Sequence, residues 1–236
     1  MENYEEFLDR INSFEKLDFS LNEEYFIPDP SIFSKVDANN EFREFYGDTT
    51  VFDLDDESKN KISQMIERLY EYVPECFCEK RVTDTLHMTM HDLSNSSFKN
   101  EIEEQVNENL IKLKNVLKET KILDQKIKMK THFITDFGHV NLVLALCPIN
   151  EEEYEKLMNI RLIIDKVKTL DYQFTPHVTL AYFNSKGFDV KSVKKLVSTV
   201  RNLNKESFEL ELDTKYLYYQ RFTNMNCYEN VLKLVQ

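Results

Sequence analysis

Two short strings in this chain carry residues whose types and spacing suit phosphate chemistry: Leu86-His87-Met88-Thr89-Met90 and Pro176-His177-Val178-Thr179-Leu180. In each, one apolar residue separates a His from a Thr. Side chains on a β-strand alternate faces, so His87 and Thr89 share a face, as do His177 and Thr179. The Cα atoms of each pair then lie about 6.5–7 Å apart. That gap lets an imidazole and a hydroxyl reach different oxygens of one phosphate. Met88, Met90, Val178 and Leu180 take the opposite face and hold the strands still.

Phosphodiester cleavage needs a base to activate the nucleophile and an acid to protonate the leaving oxygen. Two histidines, one neutral and one protonated, supply both near neutral pH. Each Thr hydroxyl can donate to a non-bridging oxygen and stabilise the charge that develops there. Such chemistry calls for no metal and no cofactor. A single His-x-Thr has little specificity. Weight comes from its repetition, its apolar flanks and its place in two matching halves of the chain. The plainer alternative is a pair of core histidines satisfied by neighbouring hydroxyls.

The elements that must position these residues follow from periodicity. Glu2 to about Lys16 has helical spacing (Tyr4, Phe7, Leu8, Ile11, Phe14), and residues 17–44, with Pro28-Asp29-Pro30, are irregular. Gly47-Asp48 ends this acidic preamble, and a strand begins at Thr49. Helices are expected over 56–72, from a Ser96 or Ser97 cap through Leu117, over 150–168 and over 189–203. Strands are expected over 83–93, 125–136, 139–148, 175–183, 206–222 with a break near Asp213, and 226–235. In both halves a His-x-Thr strand lies between helices. This duplicated plan predicts two similar lobes facing one another.

The chain has 236 residues with a net charge of −12, and residues 1–60 hold 17 acidic against 5 basic side chains. The imbalance therefore sits at the N-terminal end. Binding of a long duplex rests on phosphate neutralisation, which an acidic flank opposes, so a compact nucleotide or short oligonucleotide is the expected partner. No apolar run is long enough for a membrane span, and the acidic start is unlike a secretory signal. A cytoplasmic monomer is expected. Cys76, Cys78, Cys147 and Cys227 are expected to be free, mostly buried thiols.

Other polar residues are candidates for the same cleft. His91 continues the parity of His87 and Thr89, but stands about 13 Å from His87 along a strand, too far to share a metal. His132 and His139 flank a turn and are expected at the surface. Lys126, Lys128 and Lys130 make one face of a strand basic, more consistent with a solvated face than with phosphate steering. Tyr219 and Arg221 share a strand face and could stack a base and hold a phosphate.

The two strings, with Phe174-Thr175-Pro176-His177-Val178-Thr179-Leu180 the closer match, resemble the signature of the two-histidine (2H) phosphoesterase superfamily, which includes 2'-5' RNA ligase-like proteins and cyclic phosphodiesterases. The resemblance covers roughly residues 45–236 and leaves 1–44 as an acidic N-terminal extension that could be a lid, a partner surface or a strap. It implies an α+β, bilobal fold: two pseudo-symmetric lobes of mainly antiparallel sheet, helices outside, around a central cleft. It implies that His87, Thr89, His177 and Thr179 face a bound phosphate. Ligase-like members often carry Arg three positions after the second Thr; here Tyr182 stands there and becomes a candidate substrate contact. The activity implied is that of a phosphodiesterase, hydrolytic or cyclising, on 2',3'-cyclic phosphates, 2',5'-linked or cyclic oligonucleotides, or RNA ends. A module that binds or sequesters a nucleotide in the same cleft without turnover is the alternative.

Overall fold

The computed structural model describes residues 2–235 apart from Lys16, Asp18, Ser20 and Glu23. Helix α1 (Tyr4–Ser13) opens with a capping box, in which Asn3 accepts from the Glu6 amide and Glu6 accepts from the Asn3 amide. The end expected near Lys16 lies outside the described residues. The strands β1 (Leu21–Asn22) and β2 (Tyr25–Phe26) follow, then a short 3-10 turn at Pro30–Ser34 begun by Pro30 and capped by Asp29. Strand β3 (Tyr46–Asp53) already contains Gly47 and Asp48, expected to lie before it. Gly47 fits there because a Cβ would meet the Ser94 carbonyl oxygen at 2.3 Å and the Phe222 ring at 2.2 Å.

Helix α2 (Asp56–Tyr72) is capped by Asp55 and stopped before Pro74. The first His-x-Thr string opens β4 (His87–Ser96), and α3 (Lys99–Glu119) follows. Its N-cap is Phe98, not Ser96 or Ser97; Ser96 Oγ instead accepts from the Phe98 amide at 3.1 Å and donates to Glu101. Strands β5 (Lys126–Phe137) and β6 (Asn141–Pro148) form a hairpin turning at Gly138, whose φ of +65° suits glycine. Next come α4 (Glu151–Ile164), β7 (His177–Tyr182) with the second string, β8 (Phe188–Asp189) and α5 (Val190–Leu203). Strands β9 (Glu209–Asp213), β10 (Leu217–Asn224) and β11 (Cys227–Lys233) close the chain.

Eight strands make one curled antiparallel sheet in the order β11-β10-β3-β4-β7-β6-β5-β9, and β1, β2 and β8 make a small second sheet. The large sheet falls into two groups of four that meet at β4 and β7. These groups are not the two halves of the sequence, because β10 and β11 return to lie beside β3. The expected α+β fold with two facing lobes is present as one continuous sheet.

Strand β6 is buried along its whole length, consistent with its near-continuous apolar run. Packing reaches beyond residues 45–236: Phe26, Ile32 and Val36 are fully buried in the main core. Helix α1 forms a second cluster through Phe7 and Ile11 with Phe133, Tyr154 and Met158. Cys76, Cys78 and Cys147 are free and buried, and Cys227 is free and exposed. Among the described residues, no helix is long and apolar enough to cross a membrane.

Candidate active site

Strands β4 and β7 are joined at the ladder pair Met88–Val178. One antiparallel step either way sets His87 across from Thr179 and Thr89 across from His177. These four side chains are all half-buried, whereas Met88, Met90, Val178 and Leu180 are buried on the other face. The alternation read from the sequence thus yields a square on one face, with the histidines at opposite corners. Opposed Cβ atoms in such a ladder are about 4.5–5.5 Å apart, close enough for one tetrahedral anion to touch all four groups.

Each imidazole has its own surroundings. His177 Nδ1 lies 2.7 Å from the Thr175 carbonyl. A carbonyl only accepts, so this nitrogen carries hydrogen and Nε2 is left to work. The Phe137 ring lies 4.9 Å from the His177 ring. Burial pushes the His177 pKa down, opposed by the Thr175 bond and by the Asp92 carboxylate. The His87 ring lies edge-on to Tyr228 at 4.9 Å. Burial lowers its pKa to about 3, helped by the positive charges of Arg81, His177 and Lys59 and opposed by the Thr85 carbonyl.

Beside His177 and Thr89 opens a cleft of about 460 Å³. Its walls include Phe14, Phe137, Tyr172 and Phe174, together with Arg10 from α1 and Arg161 from α4. Arg10 donates to Thr175 Oγ1 at 3.1 Å and to the Phe174 carbonyl at 2.9 Å, while Glu2 holds its other side. The N-terminal helix therefore braces the segment that leads into His177. Arg161 donates to the Met90 carbonyl and pairs with Asp165 at 2.8 Å.

His91 borders the cleft, but not by continuing the parity of His87 and Thr89. Val51 faces Thr89 while Thr50 faces His91, so Met90 is an extra residue in β4. That bulge reverses the alternation, buries His91 completely and leaves Asp92 exposed. Both His91 ring nitrogens are occupied, one 2.6 Å from the Asp92 carbonyl and the other 2.7 Å from that of Lys168. Tyr219 is likewise fully buried, its hydroxyl 3.0 Å from Asp48 Oδ2. Arg221 donates to Asn107 at 2.9 Å and pairs across β3 with Asp48, itself opposite Ser94. Ser94 is seven residues along β4 from His87, roughly 20 Å at strand spacing. Tyr219 and Arg221 therefore do not join the square. His132 bonds Asn12 in α1, and His139 pairs with Asp136 in the turn. Lys126 pairs with Glu211 at 2.7 Å, and the strand's lysines stand on its exposed face.

Tyr182 is nearly buried, and its ring lies 5.5 Å from the Lys35 ammonium. Sequence reasoning missed Arg81 and Tyr228 beside His87, Lys35 beside Tyr182, and Arg10 and Phe14 on the His177 side. One signal was present: Arg10 and Lys35 are two of only five basic residues in the first 60. Arg81 and Tyr228 lie in no recognisable pattern. Among the described residues, no three His, Cys, Asp or Glu side chains converge to hold a metal ion.

No family profile and no curated protein matches the chain. Among solved structures, a conserved protein of unknown function from Agrobacterium tumefaciens, ATU0111, aligns over 92% of this chain and 98% of its own, with a TM-score of 0.71 and 14% identity. Escherichia coli LigT aligns over 82% of this chain and 99% of its own, with a TM-score of 0.49 and 16% identity. TT0787 of Thermus thermophilus aligns over 80% and 96%, with a TM-score of 0.49 and 11% identity. The fold assignment rests on the Agrobacterium protein, and the likeness is one of fold. With β4 and β7 paired at its centre, the chain has the α+β architecture that the resemblance of its two His-x-Thr strings implies.

Proposed function

We propose that the chain is a two-histidine phosphodiesterase that cleaves a compact nucleotide phosphodiester with 2' involvement, without a metal. The observation that carries this reading is the square of His87, Thr89, His177 and Thr179 on one half-buried face. A binding site needs donors; a pair of imidazoles at opposite corners also supplies an acid and a base. The fields around them suggest the division of labour. Burial, with the charges of Arg81, His177 and Lys59, favours a neutral His87, which suits the base. Burial lowers the His177 pKa too, but there the Thr175 carbonyl and the Asp92 carboxylate oppose the shift, which makes His177 the better placed of the two to be the acid.

On a 2',3'-cyclic phosphate, His87 takes a proton from water as its oxygen attacks phosphorus, and His177 Nε2 gives a proton to the departing ribose oxygen. On a 2',5'-linkage or a cyclic oligonucleotide, a neighbouring hydroxyl can replace the water and leave a cyclic phosphate. Thr89 and Thr179 donate to the non-bridging oxygens throughout. The aromatic cleft beside His177 suits a nucleoside, since Phe14, Phe137 and Tyr172 remain 40%, 37% and 53% exposed.

A mass-spectrometric turnover screen in EDTA tests this, with 2',3'-cyclic nucleotides, 2',5'-oligoadenylate, cyclic oligonucleotides and 3',5'-linked controls. One substrate class should be cleaved, and His87→Ala or His177→Ala should each lose about 10²–10⁴-fold in kcat with the melting temperature kept. Activity lost in EDTA and restored by a divalent ion would sink the metal-free mechanism. Ligand binding with no turnover on any substrate would move the assignment to a sequestering module.

A further inference from the structure

Lys35 and Arg81 are cations that no carboxylate pairs directly. Among the described residues, neither has a carboxylate within 4.0 Å, and the Lys35 ammonium donates no hydrogen bond. Lys59, whose charge acts on His87, is by contrast paired with Asp53 at 2.7 Å. Arg81 is 5% exposed, and its Nε is buried without a partner. One of its terminal nitrogens donates to Thr85, and the guanidinium also hydrogen-bonds the Tyr182 and Tyr228 hydroxyls. Buried charges are ordinarily paired, because stripping water from an uncompensated ion costs several kcal/mol or more.

The two cations face one place. Arg81 lies 5.7 Å from the Tyr228 ring, which is 4.9 Å from His87, and Lys35 lies 5.5 Å from the Tyr182 ring. Burial pushes both phenols up, Tyr228 to about 12, while Arg81 pulls each back through its charge and a side-chain hydrogen bond. The Tyr182 hydroxyl donates to Met225 Sδ at 3.1 Å, whereas the Tyr228 hydroxyl reaches the same sulfur only at 3.9 Å, so Tyr228 is the phenol that can turn to an anion. Burial also lowers the Lys35 pKa, with the Arg81 charge in the same direction and those of Asp92 and Tyr228 opposing it. The Asp92 carboxylate is occupied by the Tyr172 hydroxyl at 2.9 Å.

We infer that Lys35 and Arg81 form a second anion subsite beside the His/Thr square, and that the substrate is a nucleotide carrying a further phosphate next to the scissile one. The inference rests on reading the square as a phosphate site. One aromatic ring separates the subsite from His87, a distance that neighbouring phosphates of one nucleotide can span. Lys35 belongs to the N-terminal segment, so part of substrate selection would come from outside the two His-x-Thr lobes.

Calorimetric titration of the full chain with adenosine 3',5'-bisphosphate, 3'-AMP, 5'-AMP and inorganic pyrophosphate tests the assignment without requiring turnover. The bisphosphate is expected to bind at least about tenfold tighter than either monophosphate. Lys35→Met should bring that ratio near one while leaving monophosphate affinity unchanged, and Arg81→Met should also lower the ratio where it folds. Equal affinities in the wild type would overturn the inference. So would a Lys35→Met variant that weakens all ligands alike, since the cations would then serve the phosphate in the square. Pyrophosphate binding that depends on Lys35, with no nucleotide bound, would keep the anion subsite and remove the nucleotide reading. Absence of binding by all four ligands would remove both.

Discussion

A neutral His87 has two measurable consequences at the scale of the residue. The acid limb of kcat/KM should lie below the ordinary histidine value of about 6.5, because protonation of the base is displaced toward acid. Stability should respond too. Between about pH 6.5 and 3 the unfolded chain binds a proton at this position that the folded chain refuses. His87 thus favours the fold fully above its unfolded pKa, and that contribution falls as pH drops. Urea unfolding between about pH 7 and 5 should show a weaker pH slope in His87→Asn than in the wild type. An unchanged slope would contradict the burial-driven shift. The threonines make a separate case: Thr89→Val and Thr179→Val should each lower kcat by about 10²-fold with KM nearly constant, read from steady-state kinetics.

Among the elements, α1 links the extension to catalysis. Phe7 and Ile11 bury its apolar face, so Phe7→Ala should cost about 3–5 kcal/mol of unfolding free energy by chemical denaturation. Arg10→Met should act differently, because Arg10 holds Phe174 and Thr175, and the Thr175 carbonyl fixes the His177 tautomer. A loss of about 10- to 100-fold in kcat with little change in melting temperature is expected, together with a mixed His177 tautomer by nitrogen NMR. Rescue by Arg10→Lys would distinguish a positioning charge from a merely filled volume. Periodicity showed the long elements, including both His-x-Thr strands, because each buries a regular stripe or face. It missed the Met90 bulge, since an extra residue leaves no mark in a pattern of alternating types. The parity expected to carry from His87 to His91 is lost for that reason. The buried Tyr219 was ambiguous because the sequence contains no information on which face of β10 meets α3.

For the whole molecule, the N-terminal segment is part of the folded unit. Phe26, Ile32 and Val36 lie in the same core as both lobes. Deleting residues 1–44 should therefore give a chain without a cooperative thermal transition, seen by calorimetry; a deletion variant that melts sharply would contradict this. The acidic excess in residues 1–60 hid their contribution to an anion site. Net charge reports the surface, whereas Lys35 acts from a half-buried position. The four motif residues could be read from local spacing, but Lys35, Arg81 and Tyr228 are brought together only by tertiary folding.

The strand order has a consequence for when the protein becomes competent during synthesis. The group of strands holding His87 is completed only by β10 and β11, which follow every strand of the group holding His177. Tyr228, the ring against His87, lies on β11. One edge of β3 must therefore stay open until every strand of the His177 group has been made, and the pocket around His87 can close only once β10 and β11 have paired there.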